Sequence, residues 1–201
     1  MGSRGQSSGG GGKPNEATEY YVSGEGMWIN QYLRGRGDFG ELTDYEKEYL
    51  ADLDKATNGK LKPQTLYRSV DAEAIFGEMS DFDYQNLAER INYGANDRLI
   101  KEGTDKYMNV VGKTVTEKGF MSTTKDRSVA DDWQDFTGSS KPVVLELKTK
   151  AGTKGVDISS YDKNVSPAEA QKEVLLARGQ KYKVTGIKSV NNNITVTAEM
   201  I

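Results

Sequence analysis

The sequence predicts an α+β domain with a largely antiparallel sheet, and three observations support that class. Apolar residues recur at helical spacing in the first half of the chain, as in Trp28, Ile29, Tyr32 and Leu33. From about residue 107 onward, short runs rich in Val, Ile, Thr and Tyr alternate with turn residues instead. No regular exchange of strand and helix, which a parallel sheet would need, joins the two halves.

Composition sets the outer limits. A chain of 201 residues with 35% hydrophobic content can bury the core of one domain. The first twelve residues are Gly/Ser-rich, the composition of a flexible tag or linker, so the folded unit is expected at 13–201. No window approaches the ~18 apolar residues of a membrane span, and the N-terminus lacks the apolar centre of a signal peptide. With 27 basic and 30 acidic residues and a net charge of -3, a surface that tracks nucleic-acid phosphates is not expected. Cys and His are both absent, which removes thiol chemistry, imidazole bases and the usual metal ligand sets. Chemistry must then run on carboxylates, hydroxyls, amides and Arg, with no metal expected.

Element by element, residues 16–34 read as a helix in two pieces, broken at Ser23-Gly24-Glu25-Gly26. The run 35–40 matches GxGxxG in form but follows a helix, so it reads as a helix-stop loop, and the Arg36-Gly37-Asp38 inside it as a Gly-flanked turn. Thr43 and Glu46 make a capping-box pattern for a helix that turns Tyr45, Tyr49, Leu50 and Leu53 inward and closes near Asn58-Gly59. Asp52 and Asp54 before that Asn-Gly fail calcium-loop spacing. Residues 64–70 form the first convincing strand, with Arg68 inside it. Helix is expected over 71–76 and 83–100, with Gly94 a weak point in the second. Strands are then expected at 107–111, 114–116 and 119–124, followed by a helix over 127–136 with Val129, Ala130, Trp133 and Phe136 on one face. Further strands at 142–148, 154–158, 173–176, 182–190 and 194–200 complete the sheet, and Asn191-Asn192-Asn193 supplies the last hairpin turn.

Glu173 stands where a polar loop gives way to the apolar run Val174-Leu175-Leu176. In extended backbone Gln171 and Glu173 project to the same side, with Glu169 behind them. Taken alone, Glu173 reads as a charge that keeps a strand edge soluble. Arg68 alone reads as a solvated outer-face residue unless an anion site lies on that face.

Three fragments change the balance: Tyr67-Arg68, Phe120-x-Ser122-Thr123-Thr124 and Gln171-x-Glu173. In this order and spacing they resemble the R-S-E class of mono-ADP-ribosyltransferase toxins, which includes actin-modifying binary toxins, Rho-modifying clostridial exoenzymes and phage-encoded relatives. The likeness runs from about Glu19 to the C-terminus and takes in Ile29-Asn30-Gln31-Tyr32-Leu33-Arg34 and Lys154-Gly155-Val156-Asp157-Ile158. Thr124 stands where the family has a second Ser, and Gln171 where relatives that modify Arg have Glu. The resemblance implies an ADP-ribosyltransferase fold, two packed mainly antiparallel β-sheets with N-terminal helices and a central NAD cleft. It implies transfer of ADP-ribose from NAD to a target protein side chain with nicotinamide release, by a monomeric, secreted or injected effector whose target is a host GTPase or actin. Glu173 would be the catalytic carboxylate on the ribose, Arg68 the pyrophosphate fork, and Ser122 the residue that steadies Glu173. Thr123 would line the NAD site and, with Thr124, brace the strand crossing. Gln171 would address the acceptor, with Tyr161 as the exposed aromatic of the recognition loop. Trp133 and Phe136 either flank the nicotinamide or pack in the helix core, and Tyr21 and Asn30 match positions that approach NAD. Two other readings stay open: an NAD glycohydrolase, in which water is the acceptor, and a binding or virion-associated module that keeps the fold without catalysis.

Overall fold

The structure is a computed structural model that describes residues 12–136, 139–164 and 170–201. Asn15 opens α1 (Glu16–Tyr20) through a capping box with Thr18. A π-turn (Tyr21–Glu25) then leads into α2 (Gly26–Leu33), and the expected break falls within this turn. Gly24 makes the kink possible at φ 123°, a backbone region that side chains resist. In α3 (Asp44–Thr57), Thr43 and Glu46 form the expected capping box, and Tyr49 and Leu53 are buried. Tyr45 is 66% exposed, against expectation. It lines a groove between α1 and α3 together with Glu19, Tyr20 and Glu48.

Eight strands follow the order β2-β7-β8-β4-β1-β3-β6-β5. They are β1 (Thr65–Asp71), β2 (Thr114–Thr116), β3 (Met121–Thr124), β4 (Pro142–Lys148), β5 (Gly155–Asp157), β6 (Glu173–Leu176), β7 (Lys181–Val190) and β8 (Asn193–Met200). All ladders are antiparallel except β4 with β8. The two sheets expected from the sequence are joined by hydrogen bonds into one, but the joint is narrow. Only Tyr67 and Thr124 pair between β1 and β3, whereas β1 pairs with β4 along its whole length. A single pair constrains direction weakly, and strand β6 is buried on both faces, Val174 and Leu176 toward one core and Leu175 toward the other. One core gathers Leu66, Leu87, Leu147, Val174 and Val196; the other gathers Ile29, Tyr49, Leu53, Phe120 and Leu175 under the N-terminal helices.

The helix expected over 83–100 is two helices, α5 (Asp81–Tyr93) and α6 (Arg98–Met108), after the short α4 (Glu73–Phe76). Gly94 adopts the left-handed conformation that ends α5, and Asp97 caps the next helix by accepting from Leu99 N and Ile100 N. Tyr107, expected to open a strand, lies in the last turn of α6, where its hydroxyl donates to Asp83 at 2.6 Å. Burial of Thr104 and Tyr107 on one helical face overrides the strand preference of the local residues. The helix α7 (Arg127–Phe136) and strands β4 to β8 fall where the periodicity places them.

The β7–β8 hairpin closes through Asn191 and Asn192 at φ 54° and 60°, the two-residue turn whose twist suits a hairpin. Asn tolerates this conformation and a β-branched residue does not. Asn191→Val is therefore expected to lower unfolding stability by about 1–2 kcal/mol and Asn191→Gly to leave it unchanged or higher. Urea melts of the two variants check this; equal midpoints would show that the turn carries no strain.

Candidate active site

The wall of the site is the β3–β6 ladder. Ser122 pairs with Leu175 and Thr124 with Glu173, and residues directly opposed in an antiparallel pair share a face. Thr123 and Thr124 are fully buried. The Thr123 hydroxyl donates to Val174 O at 2.6 Å and that of Thr124 to Gln171 O at 2.7 Å, which gives both the bracing place expected of them. Thr123, also expected to line the NAD site, is committed to that carbonyl. Glu173 is buried at 7% exposure, and its carbonyl accepts from Ile158 N at 3.0 Å.

Gln171 lies at the surface, and the simple alternation that would set it beside Glu173 does not hold. Lys172 between them has φ 47°, so the chain turns there and the strand begins only at Glu173. Glu169 and the rest of 165–169 lie outside the described residues, as does the Phe136 side chain.

Tyr21 is the hub of the buried polar groups. Its hydroxyl accepts from Asn30 Nδ2 at 2.6 Å and from Ser122 Oγ at 3.3 Å, and Asn30 Oδ1 accepts from Phe120 N at 2.8 Å. Burial pushes the Tyr21 phenol above its ordinary pKa of 10.0, Ser122 and Arg68 work against that shift, and the Glu173 carboxylate adds to it. The phenol thus lies in the fields of all three residues of the Arg, Ser and Glu set. Gly119 is needed where the chain passes this network, since a Cβ there would sit 2.5 Å from Asn30 Oδ1.

Arg68 opens into a cleft of about 430 Å³ lined also by Arg34, Arg36, Lys118, Glu117, Asp71 and Tyr182. Its Nη1 is enclosed and has no hydrogen-bond partner among the described residues. Burial, then the nearby Arg34, pull the Arg68 pKa below its ordinary value. Arg34 itself is held by Glu117, Nε to Oε1 at 2.9 Å, and by Phe120 O at 3.4 Å, while Glu117 Oε1 also accepts from Gly119 N at 2.9 Å. Burial and Glu117 push the Tyr182 phenol up to about 12. A planar donor fork with an unsatisfied buried N–H, flanked by further cations, fits a diphosphate. Sequence reasoning did not assign Arg34, Glu117 or Tyr182 to the site. The i, i+4 spacing of Asn30 and Arg34 on one helix was the available signal.

Other expectations need correction. Tyr161 is not an exposed aromatic: it is half-buried against the second core, and its hydroxyl lies 2.7 Å from Thr18 Oγ1 and 3.2 Å from Asn15 O. Trp133 is half-buried on α7. A larger groove of about 560 Å³ lies between α1 and α3, but Glu16, Glu19, Glu48 and Asp52 line it with no basic residue, which would repel a diphosphate.

The family model of the ADP-ribosyltransferase exoenzymes matches residues 13–201. A search among curated proteins gave no match. Among solved structures, the ADP-ribosylating toxin BECa of a C. perfringens binary enterotoxin, with NADH, superposes at TM-score 0.66 with 20% identity over 92% of this chain. The chain spans 42% of that protein's length. C3stau2 from S. aureus, with NAD, gives 0.65 and 24% over 94% of this chain and 88% of its own. An ADP-ribosyltransferase from Clostridium botulinum gives 0.62 and 26% over 92% and 84%. The first two likenesses establish the fold. With the family pattern spread over nearly the whole chain, and Arg68, Ser122 and Glu173 placed on core strands β1, β3 and β6 of that fold, the chain belongs to the ADP-ribosyltransferase exoenzymes, NAD-dependent mono-ADP-ribosyltransferases.

Proposed function

We propose that the chain transfers ADP-ribose from NAD to a protein side chain, with Arg68 on the diphosphate and Glu173 at the reacting ribose. The observation that carries this reading is the enclosed, unpartnered Nη1 of Arg68 in a cleft lined by further cations. NAD is the substrate. The bond between nicotinamide and ribose breaks with the electron pair leaving on nicotinamide, and the ribose carbon passes through an oxocarbenium-like state. A carboxylate removed from water stabilises that charge more than a solvated one, which suits the buried Glu173. The acceptor atom then bonds to the ribose carbon and loses its proton to solvent. Gln171, an exposed amide that donates and accepts but does not act as a base, orients a neutral acceptor. Ser122 steadies the site through Tyr21, which supports a role for Tyr21 and Asn30 in ordering the ribose end. The target is a protein of another cell, a GTPase or actin, reached by secretion or injection.

Labelled NAD incubated with a lysate and the folded protein should yield labelled protein and free nicotinamide; neither product would overturn the reading. Glu173→Gln is expected to lower kcat for nicotinamide release about 10²–10³-fold with KM little changed. Arg68→Lys keeps the charge but loses the fork, so KM for NAD should rise about tenfold or more while kcat changes less. The reverse pattern would exchange the two roles.

Tyr21→Phe keeps the ring and removes the hydroxyl between Asn30 and Ser122. It leaves Asn30 Nδ2 without that acceptor, at a cost of about 1–3 kcal/mol. In a double-mutant cycle with Ser122→Ala the losses in nicotinamide release should be less than additive. Full additivity would separate Tyr21 from Ser122.

A further inference from the structure

Lys172, between Gln171 and Glu173, has a backbone of the wrong hand for its side chain. Its φ of 47° is shared, among described non-glycine residues, only with the hairpin residues Asn191 and Asn192. Asn adopts this region readily and Lys does not, so the conformation must be imposed by its surroundings. Three sets of contacts impose it. Lys172 Nζ donates to Asp126 Oδ2 at 2.6 Å, while Asp126 Oδ1 accepts from Ser128 N at 3.0 Å and Ser128 Oγ at 2.8 Å. Lys172 O accepts from Lys125 N at 3.2 Å. Thr124 Oγ1 donates to Gln171 O at 2.7 Å and accepts from Asp126 N at 3.0 Å. Lys172 and Ser128 hold the Asp126 carboxyl at about 2, so it is ionised at any working pH. Glu173 is secured separately by the β3–β6 ladder and by Ile158 N.

We propose that Lys172 and Asp126 form a clamp that fixes the left-handed turn, points Gln171 toward an incoming protein acceptor, and thereby sets how ADP-ribose divides between protein and water. This rests on the transferase reading given above. Both are positioning residues. The nicotinamide bond breaks identically in the two outcomes, and the ribose carbon bonds either to the acceptor or to a water oxygen, with one proton lost in each case. Glu173, held by its ladder, continues to support cleavage when the clamp is open. Gln171, held through the turn, does not continue to present the acceptor.

The test uses the full chain, labelled NAD and lysate. Asp126→Asn and Lys172→Ala are expected to lower the ratio of labelled protein to released nicotinamide at least about fivefold, the scale of a left-handed side-chain penalty. Total nicotinamide release and melting temperature should stay near those of the parent chain, since an exposed ion pair adds little to global stability. Lys172→Gly, which adopts positive φ without that penalty, should lose less of the ratio than Lys172→Ala. Trypsin gives a readout independent of activity: in Asp126→Asn it should cut after Lys172 at least about fivefold faster, because cleavage follows the opened population. An unchanged tryptic rate, or an unchanged ratio in an active protein, overturns the clamp. A parent chain that releases no nicotinamide overturns the transferase reading instead, and the tryptic rate still judges the clamp.

Discussion

Thr123 and Thr124, adjacent on β3, bind β6 beyond its own ladder, and the site depends on that attachment. Their hydroxyls reach Val174 O and Gln171 O, so each fully buried hydroxyl satisfies a carbonyl of the strand that carries Glu173 or of the residues leading into it. The joint between the two halves of the sheet is a single pair at Tyr67 and Thr124, which makes Thr124 the meeting point of three strands. A single pair leaves the relative direction of the two halves weakly constrained. The threonine bonds keep β6 in register despite that freedom.

Charge is divided just as locally. The chain has a net charge of -3, yet Arg34, Arg36, Arg68 and Lys118 face Glu117 and Asp71 across one cleft. The proposed attraction for a dianionic diphosphate draws on that local excess, whereas the acidic groove between α1 and α3 would repel the same ligand. Glu117 has a dual position. It lowers the net positive charge of the cleft, but it also fixes Arg34 and accepts from Gly119 N, so the guanidinium is oriented before a ligand arrives. Preorganisation of this kind lowers the ordering cost of binding.

Much of the fold was legible because its signals are local. The capping box at Thr43, the hairpin asparagines and the apolar run after Glu173 each specify an element from a few residues. The failures came where a tertiary contact or a backbone sign decided the outcome. Tyr107 has strand-forming neighbours, but burial beside Thr104 and a bond to Asp83 made it helical. Tyr161 was expected at the surface because the family resemblance makes it the aromatic of the recognition loop, whereas Thr18 and the chain near Asn15 hold its hydroxyl. For the candidate site, order and spacing single out Arg68, Ser122 and Glu173. Their connection through Tyr21 was not legible, since no spacing rule brings residue 21 to residue 122.

Spacing also leaves the most consequential geometry undetermined. Two polar residues separated by one position share a face if the middle residue is extended, and part company if it is left-handed. Lys172 takes the second course, so Gln171 emerges to solvent while Glu173 is withdrawn to 7% exposure. The division suits the chemistry of each group. In the proposed transfer, a carboxylate that answers a developing cation gains from exclusion of water, whereas an amide that meets a bulky protein acceptor gains from exposure. A fully extended strand would give both groups the same environment and serve one of them poorly. The unfavourable backbone at Lys172 is thus the means by which one short segment provides two dielectric environments.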